Sequence, residues 1–147
     1  MALGLGAPVG TGETCLCFCP RYPRHCLQFW SAKVALKNSQ RQFYALSLGP
    51  SPDELDESGG ASRYGLEVAE ADGVLGMLAS TYSRENDAIY DGTSRPGTRL
   101  ISFAPILKHA MFPLPELLVQ LLQLGERGTS AAVEVGFAVN LPPAPRC

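Results

Sequence analysis

Basic residues are not in excess in this sequence, long apolar runs are missing, and histidine is scarce. The 147 residues contain 12 Lys and Arg against 14 Asp and Glu, a net charge of −2. A nucleic-acid interface, which needs a basic patch, is therefore not expected. No apolar run approaches the roughly 18 residues of a membrane span. With only two histidines, the sequence offers no recognisable phosphohistidine motif.

The two ends of the sequence and its cysteines bear on the cellular compartment of the protein. The start, "MALGLGAPVG", lacks the basic segment and apolar core of a secretory signal. Five cysteines, an odd number, do not suggest a secreted disulfide framework. We therefore expect a cytoplasmic protein. The glycine-rich beginning and the proline-rich "NLPPAPRC" also predict that the chain is the middle of something larger.

The composition, 46% hydrophobic and 18% charged, is that of a folded chain long enough for one domain. Turn-forming residues predict a glycine loop and first strands over 1–48, a surface loop or linker over 49–63, and hairpins, a helix and a final strand over 64–147. Strands are predicted within 14–19, 26–31, 42–48 and 100–107, with a hairpin turn at Asp72–Gly73. Because strands outnumber helices, the predicted class is α+β with a mostly antiparallel sheet.

One helix is predicted over 114–124. Pro115 suits a first helical turn, and Gly125 is placed to end the helix. The apolar stripe has the i, i+3, i+4, i+7 spacing of one helix face; it consists of Leu114, Leu117, Leu118, Leu121, Leu122 and Leu124.

A final strand is predicted over 132–140, because valines and a phenylalanine alternate there with other residues. Glu134 and Gly136 lie on the other face of that strand. Glycine inside a strand costs backbone entropy and packs nothing, so Gly136 is an unexpected residue at this position.

Several stretches together resemble the nucleotide-binding domain of the phosphoenolpyruvate synthase and pyruvate phosphate dikinase family. The resemblance implies an ATP-grasp fold that binds ATP and Mg²⁺, in enzymes that move phosphate from ATP to pyruvate by way of a histidine. It covers nearly the whole chain but only the later part of that domain, so the missing lobe and domains are implied partners. The stretches are "GLGAPVGTG" at 4–12, "FCPRYPRHCLQF" at 18–29, "LKNSQRQFYAL" at 36–46, "STYSRENDAIYDGTSRPGTRLISFAPILKH" at 80–109 and "AVEVGFAVNLP" at 132–142.

The resemblance implies five nucleotide-binding residues. Gly4, Gly6 and Gly12 belong to a loop whose backbone N–H groups could approach nucleotide, although the loop taken alone is typical of a plain tight turn. Arg95 and Arg99 are candidate cations, held in a loop shaped by Gly and Pro; from sequence alone, solvated surface charge is the favoured interpretation.

The same resemblance implies a weakened metal site. The family's last strand usually carries two acidic residues, of which the second binds metal; here Glu134 matches the first and Gly136 the second. Mg²⁺ requires oxygen ligands, so Glu134 is the one candidate metal ligand. The Gln-x-Arg strand that follows in the family has no match, because Arg146 lacks the preceding Gln. No catalytic residue is assigned, and the chain alone is expected to be inactive as a phosphotransferase.

Two alternatives from other classes remain open. One is a degenerate nucleotide-binding or partner-binding module that kept a fold and lost its chemistry. The other is a small zinc-binding protein, because soft ligands cluster in one region, although their spacing differs from that of known zinc knuckles; the candidates are Cys15, Cys17, Cys19, His25 and Cys26. Arg21, Arg24 and His25 could also offer charge to an anion, although solvated surface charge is the favoured interpretation.

Overall fold

A computed structural model describes residues 1–5, 14–46 and 61–141. In these residues the chain forms two antiparallel sheets, four α-helices and two short 3₁₀-helices. The α+β class and the antiparallel strand arrangement predicted from the sequence are confirmed. Among the described residues, none of the helices has both the length and the apolar character needed to cross a membrane.

The smaller sheet has two strands, β1 (Gln42–Leu46) and β2 (Ala61–Gly65). They pair antiparallel, with Tyr44 opposite Arg63. The strand predicted at 42–48 is therefore confirmed over its described part. The predicted surface loop at 49–63 is wrong at its end, because residues 61–63 belong to β2; residues 47–60 lie outside the described part.

The larger sheet has three strands, β3 (Ala79–Ser83), β4 (Ala88–Asp91) and β5 (Thr98–Ile101), with β3 in the centre. Ser80 faces Asp91 on one side and Leu100 on the other. Residues 79–81 are fully buried. A strand hydrogen-bonded on both edges and covered on both faces forms the rigid centre of the molecule.

The helices are α1 (Ala32–Asn38), α2 (Leu66–Ala71), α3 (Ala104–Leu107) and α4 (Leu114–Thr129), and the 3₁₀-helices span Leu27–Phe29 and Leu75–Met77. The Ser31 hydroxyl caps α1 by accepting from the Val34 N–H at 3.3 Å. The core joins α2, α3 and α4 to the larger sheet; its buried members are Leu16, Leu66, Ala69, Leu75, Leu78, Ala79, Ile101, Phe103, Ile106, Leu107, Leu114 and Leu118.

The hairpin predicted at Asp72–Gly73 is wrong. Residues 66–71 form α2, and the turn ends this helix, with the Asp72 N–H donating to the Val68 carbonyl at 3.0 Å. Gly73 has φ +74, a left-handed conformation that glycine adopts without steric cost. The Asp-Gly pair therefore does form a turn, but this turn ends a helix and does not connect two strands.

Three other predicted strands need correction. Residues 14–19 have no regular secondary structure, and 27–29 form a 3₁₀-helix. The strand predicted at 100–107 is half right, since β5 ends at Ile101 and α3 begins at Ala104. Short apolar runs do not distinguish buried strand from buried helix, and here one run contains both.

The helix predicted at 114–124 exists but continues to Thr129. Gly125 lies inside it, and a side chain there would meet Val133, whose Cγ2 is 2.9 Å from the ideal Cβ position. The helix ends where Ser130 adopts φ +55. Close packing against Val133, and not helix termination, therefore accounts for the glycine at 125.

The final strand predicted at 132–140 is wrong for the described structure. The segment has no strand assignment, and residues 134–140 are exposed. Alternation is necessary for a half-buried strand, but a strand also requires a neighbouring strand to hydrogen-bond with. None of the described strands pairs with this segment.

Candidate anion-binding cleft

A cleft of about 550 Å³ lies between the segment that leads into α1 and one face of the larger sheet. Its first wall comes from residues 23–32. Its second wall comes from β3, β4 and the chain around α3. The polar and aromatic side chains that line it are Arg24, His25, Cys26, Phe29, Trp30, Ser31, Ser80, Asp87, Asp91, Ser102 and Lys108.

Asp91, the last residue of β4, organises the charges at the second wall. Its carboxylate accepts from Lys108 Nζ at 3.0 and 3.3 Å, and His109 Nε2 lies 3.1 Å from Oδ2. Ser80 Oγ donates to Oδ1 at a longer 3.5 Å. The Asp91 carboxylate therefore holds the side chains of Lys108 and His109 in position at the edge of the cleft.

The protonation of Asp91 reflects this arrangement. Partial burial by itself raises the pKa of the carboxyl group, but hydrogen bonds and charge from Lys108 and His109 outweigh burial. The net result is a pKa below the ordinary value of 3.8. Asp91 is therefore ionised at neutral pH and attracts both nitrogen groups.

The lowered pKa predicts an acid-dependent contribution to stability. Because the charged form is favoured in the folded state, the contribution is complete above the ordinary pKa of 3.8 and is lost as the pH falls through the lower folded pKa. We expect Asp91→Asn to melt below the parent at neutral pH, and the difference to shrink below pH 3.8. Thermal melts across this range measure it.

Asp72→Asn is the matched control, since the Asp72 side chain is exposed and forms no hydrogen bond or ion pair with other described residues. It should melt like the parent over the same pH range. A constant difference between Asp91→Asn and the parent, down to the lowest pH at which the chain folds, would contradict the role given to Asp91.

Two serines form the neutral floor of the cleft. Ser80 and Ser102 hydroxyls lie 2.6 Å apart and are buried. Ser102 Oγ also accepts from the Ala104 N–H at 3.2 Å, which satisfies one of the free donors at the start of α3. The serines therefore fix the junction between β5 and α3, from which Lys108 extends.

The first wall contributes the aromatic ring of Trp30 and two potential cations, Arg24 and His25. Trp30 follows the Leu27–Phe29 helix and is 77% exposed, an unusual position for so large an apolar group. The His25 ring packs edge-on against Tyr22, with ring centres 6.4 Å apart. Cys26 lies behind them, and burial raises the pKa of its thiol. The wall therefore offers a flat apolar surface beside basic groups.

Arg95 and Arg99, predicted as nucleotide cations, lie on the opposite face of the sheet. Neighbouring strand residues point to opposite faces, so Thr81 faces away from Ser80 and the cleft. Arg99 Nη1 donates to Thr81 Oγ1 at 2.6 Å, and its Nε and Nη2 donate to Glu70 Oε1 at 2.8 and 2.7 Å. The Arg95 guanidinium stacks 4.1 Å above the Tyr90 ring centre. Both arginines thus have structural contacts away from the cleft.

The glycine loop is described only in part. Gly4 has φ +90, and a side chain there would approach the Tyr44 carbonyl oxygen to 2.5 Å. Close contact with β1 therefore explains this glycine without a ligand, and a role in nucleotide binding stays a prediction. Gly6 and Gly12 lie outside the described residues.

Glu134, the predicted metal ligand, is exposed and does not line the cleft. Gly136 has no atom within 4 Å of the position a side chain would begin. Across residues 1–5, 14–46 and 61–141, no group of three or more His, Cys, Asp or Glu side chains could hold a metal ion. The Mg²⁺ site implied by the resemblance therefore stays a prediction.

The same result bears on the zinc alternative. Cys17 and Cys19 are exposed and Cys15 and Cys26 are half-buried. Cys26 Sγ donates to the Cys17 carbonyl oxygen at 3.4 Å, which is a backbone contact and not a ligand pair. The described part of the cysteine segment thus does not assemble a zinc site.

Sequence reasoning missed Trp30, Asp91, Lys108 and His109. The sequence carries one signal for the acid, because Asp91 is followed by Gly92, and an Asp-Gly pair is typical of a turn at the end of a strand. The adjacent Lys108 and His109 were visible as a basic pair. Their convergence on Asp91 depends on the chain reversing through β5 and α3, which local sequence does not specify.

Comparisons with protein-family models, curated proteins and solved structures found no match to the chain.

Proposed function

We propose that this chain is a nucleotide-binding portion of an ATP-dependent phosphotransferase of the phosphoenolpyruvate synthase type, with a partial ATP-grasp fold. One observation supports the proposal above others. Two stretches that carry the resemblance, 18–29 and 80–109, are far apart in sequence but supply most of the two walls of a single cleft. Residues that jointly bind a ligand are expected to converge in this way.

The chemistry of the cleft suits a nucleotide. Arg24 and Lys108 can donate charge-assisted hydrogen bonds to phosphate oxygens. The exposed ring of Trp30 can stack on a base. Two lining carboxylates, Asp87 and Asp91, oppose an anion, and Lys108 and His109 offset the charge of Asp91 at 3.0–3.1 Å. The proposal therefore assigns phosphate to the basic rim and the base to Trp30.

Binding by this chain is proposed to be weak and nearly independent of Mg²⁺. In phosphoryl transfer the metal bridges the β- and γ-phosphates. A carboxylate that would match the family's metal ligand is missing at Gly136, and the exposed Glu134 is not among the residues that line the cleft. Phosphotransfer by the chain alone is accordingly not expected, and the absent lobe and domains are proposed as its partners. A cytoplasmic location belongs to the same proposal.

Trp30 provides the test, because it is the only tryptophan in the sequence. Titration with ATP should quench its fluorescence with a Kd of about 0.1–1 mM, which corresponds to weak binding. Arg24→Gln and Lys108→Gln should each weaken binding about threefold to tenfold, since each removes one charged hydrogen bond. Excess EDTA should leave the parent titration nearly unchanged.

Arg127→Gln, which removes an exposed charge from the last turn of α4, is the matched control and should bind ATP like the parent. Adenosine, which lacks phosphate, should not saturate the cleft. Calorimetry shows whether a change in fluorescence reflects binding. The proposal fails if ATP produces neither heat nor quenching at about 10 mM, or if Arg127→Gln weakens binding as much as Arg24→Gln.

A further inference from the structure

The chain reverses direction between Cys17 and Cys26, which are nine positions apart, and so brings the two cysteines side by side. Two consecutive turns produce the reversal. The Tyr22 N–H donates to the Cys19 carbonyl at 2.9 Å, and the His25 N–H donates to the Tyr22 carbonyl at 3.1 Å. Cys26 leaves these turns in an extended conformation, with φ −110 and ψ 102. The segment after the turns therefore runs back along the segment before them.

The side chain of Gln28 holds the two segments together. Its Oε1 accepts from the Cys17 N–H at 2.8 Å, and its Nε2 donates to the Cys15 carbonyl at 2.9 Å. One side-chain amide thus supplies a donor and an acceptor to the backbone, as a neighbouring strand would. The Cys26 Sγ donates to the Cys17 carbonyl oxygen at 3.4 Å. Both backbone polar groups of Cys17 are therefore held by residues of the second segment.

The two thiols are close enough to influence each other. Standard bond lengths place a carbonyl oxygen about 2.4 Å from its own Cα, so the Cys26 sulfur lies within about 6 Å of the Cys17 Cα. Burial raises the pKa of the Cys26 thiol, and the charge of Cys17 raises it further, against the opposing effects of the Gln28 backbone N–H and Lys108. Of the four cysteines that the structure describes, Cys17 is the one that acts on Cys26 in this way.

We propose that Cys17 and Cys26 form a reversible intramolecular disulfide, and that the oxidant is a small-molecule disulfide such as glutathione disulfide. The bond requires Cα atoms about 4.4–6.8 Å apart. Residues 14–19 have no regular secondary structure, so Cys17 can make the final approach without breaking a helix or a strand. The proposal is independent of the proposed nucleotide function.

The bond forms by two thiol–disulfide exchanges. Cys17 attacks first because it is exposed. Its thiolate forms a bond to one sulfur of glutathione disulfide, and one glutathione thiolate leaves. The Cys26 thiolate then attacks the Cys17 sulfur, and the second glutathione thiolate leaves. The two cysteines together lose two electrons and two protons; glutathione disulfide gains the electrons, and the protons end on the two glutathione thiols.

The test compares the folded full chain with the same chain unfolded in urea, each in a series of glutathione redox buffers, with free thiols alkylated at the end. Trypsin cleaves after Arg21 and Arg24, so the bond joins peptide 1–21 to peptide 25–33, in which Cys26 is the only cysteine. Fragmentation of the joined peptides by mass spectrometry identifies the partner. The equilibrium constant for the bond should be about tenfold or more larger in the folded chain, because the fold already holds the thiols together.

Three variants examine the pairing. Cys17→Ser should remove the bond, whereas the matched control Cys19→Ser, which changes another exposed cysteine of the same segment, should form it like the parent. Gln28→Leu should lower the equilibrium constant by about tenfold, because both hydrogen bonds that hold the two segments together are lost.

The proposal is overturned if Cys26 in the folded parent pairs with Cys15 or Cys19, or if it forms no internal bond. Equal equilibrium constants with and without urea would also overturn it, since the fold would then contribute nothing to the pairing. The peptide map of the parent decides these outcomes even where a variant does not fold.

Discussion

Gly97→Ala should lower the free energy of unfolding by about 2–4 kcal/mol, because backbone strain and a steric overlap act together. Gly97 precedes β5 with φ +145, a conformation that residues with a side chain rarely adopt. A Cβ at this position would also collide with the Tyr82 carbonyl oxygen and lie 2.9 Å from the Thr81 side chain. For a chain of this length the expected fall in Tm is about 5–15 °C.

Gly128→Ala is the control for Gly97→Ala. Gly128 lies inside α4, its φ is not positive, and nothing is within 4 Å of its Cβ position. Alanine there should raise stability by about 0.5–1 kcal/mol, since glycine is the poorer helix former. Paired denaturant titrations measure both changes. Equal effects of the two substitutions would show that the β4–β5 connection does not require glycine, contrary to the geometry described.

The parts of the fold that the sequence predicted are those governed by local spacing. The leucine stripe of α4 determined the element type, because the spacing of side chains on one helix face is set by backbone geometry. Residues 132–140 show the limit of this reasoning. They have the period of a strand, yet pairing depends on where the rest of the chain places a strand edge, and none of the described strands pairs with them.

The candidate site was less predictable for a related reason. Arg24, His25 and Lys108 are ordinary surface residues in sequence, and they become a cleft only because the β3–β5 sheet lies beside the segment leading into α1. Arg95 and Arg99 looked more promising because Gly and Pro surround them. Their spacing does not reveal that Thr81, which Arg99 contacts, faces away from the cleft.

Arg99→Met should destabilise the chain by about 1–3 kcal/mol, through lost hydrogen bonds to charged and buried partners. The Arg99 side chain is only 17% exposed, and its guanidinium donates to three groups: Glu70 of α2, Thr81 of β3 and the Arg95 carbonyl at 2.6 Å. These bonds connect α2 to the sheet and close the turn before β5. Arg99→Lys should recover little of the loss, because an ammonium lacks the planar geometry to reach all three.

The same variants distinguish a structural arginine from a nucleotide-binding one. Arg95→Met is the matched control; it removes an exposed guanidinium stacked on Tyr90 and should cost only about 0.5–1 kcal/mol. Under conditions where each variant is folded, ATP titrations monitored at Trp30 should give the parent Kd for both substitutions, because both arginines lie on the face opposite the cleft. Thermal melts and titrations on the same samples separate the two roles. If Arg99→Met weakened ATP binding at unchanged stability, the original sequence-based assignment of Arg99 to the nucleotide would be correct, and the cleft around Asp91 and Lys108 would not be the nucleotide site.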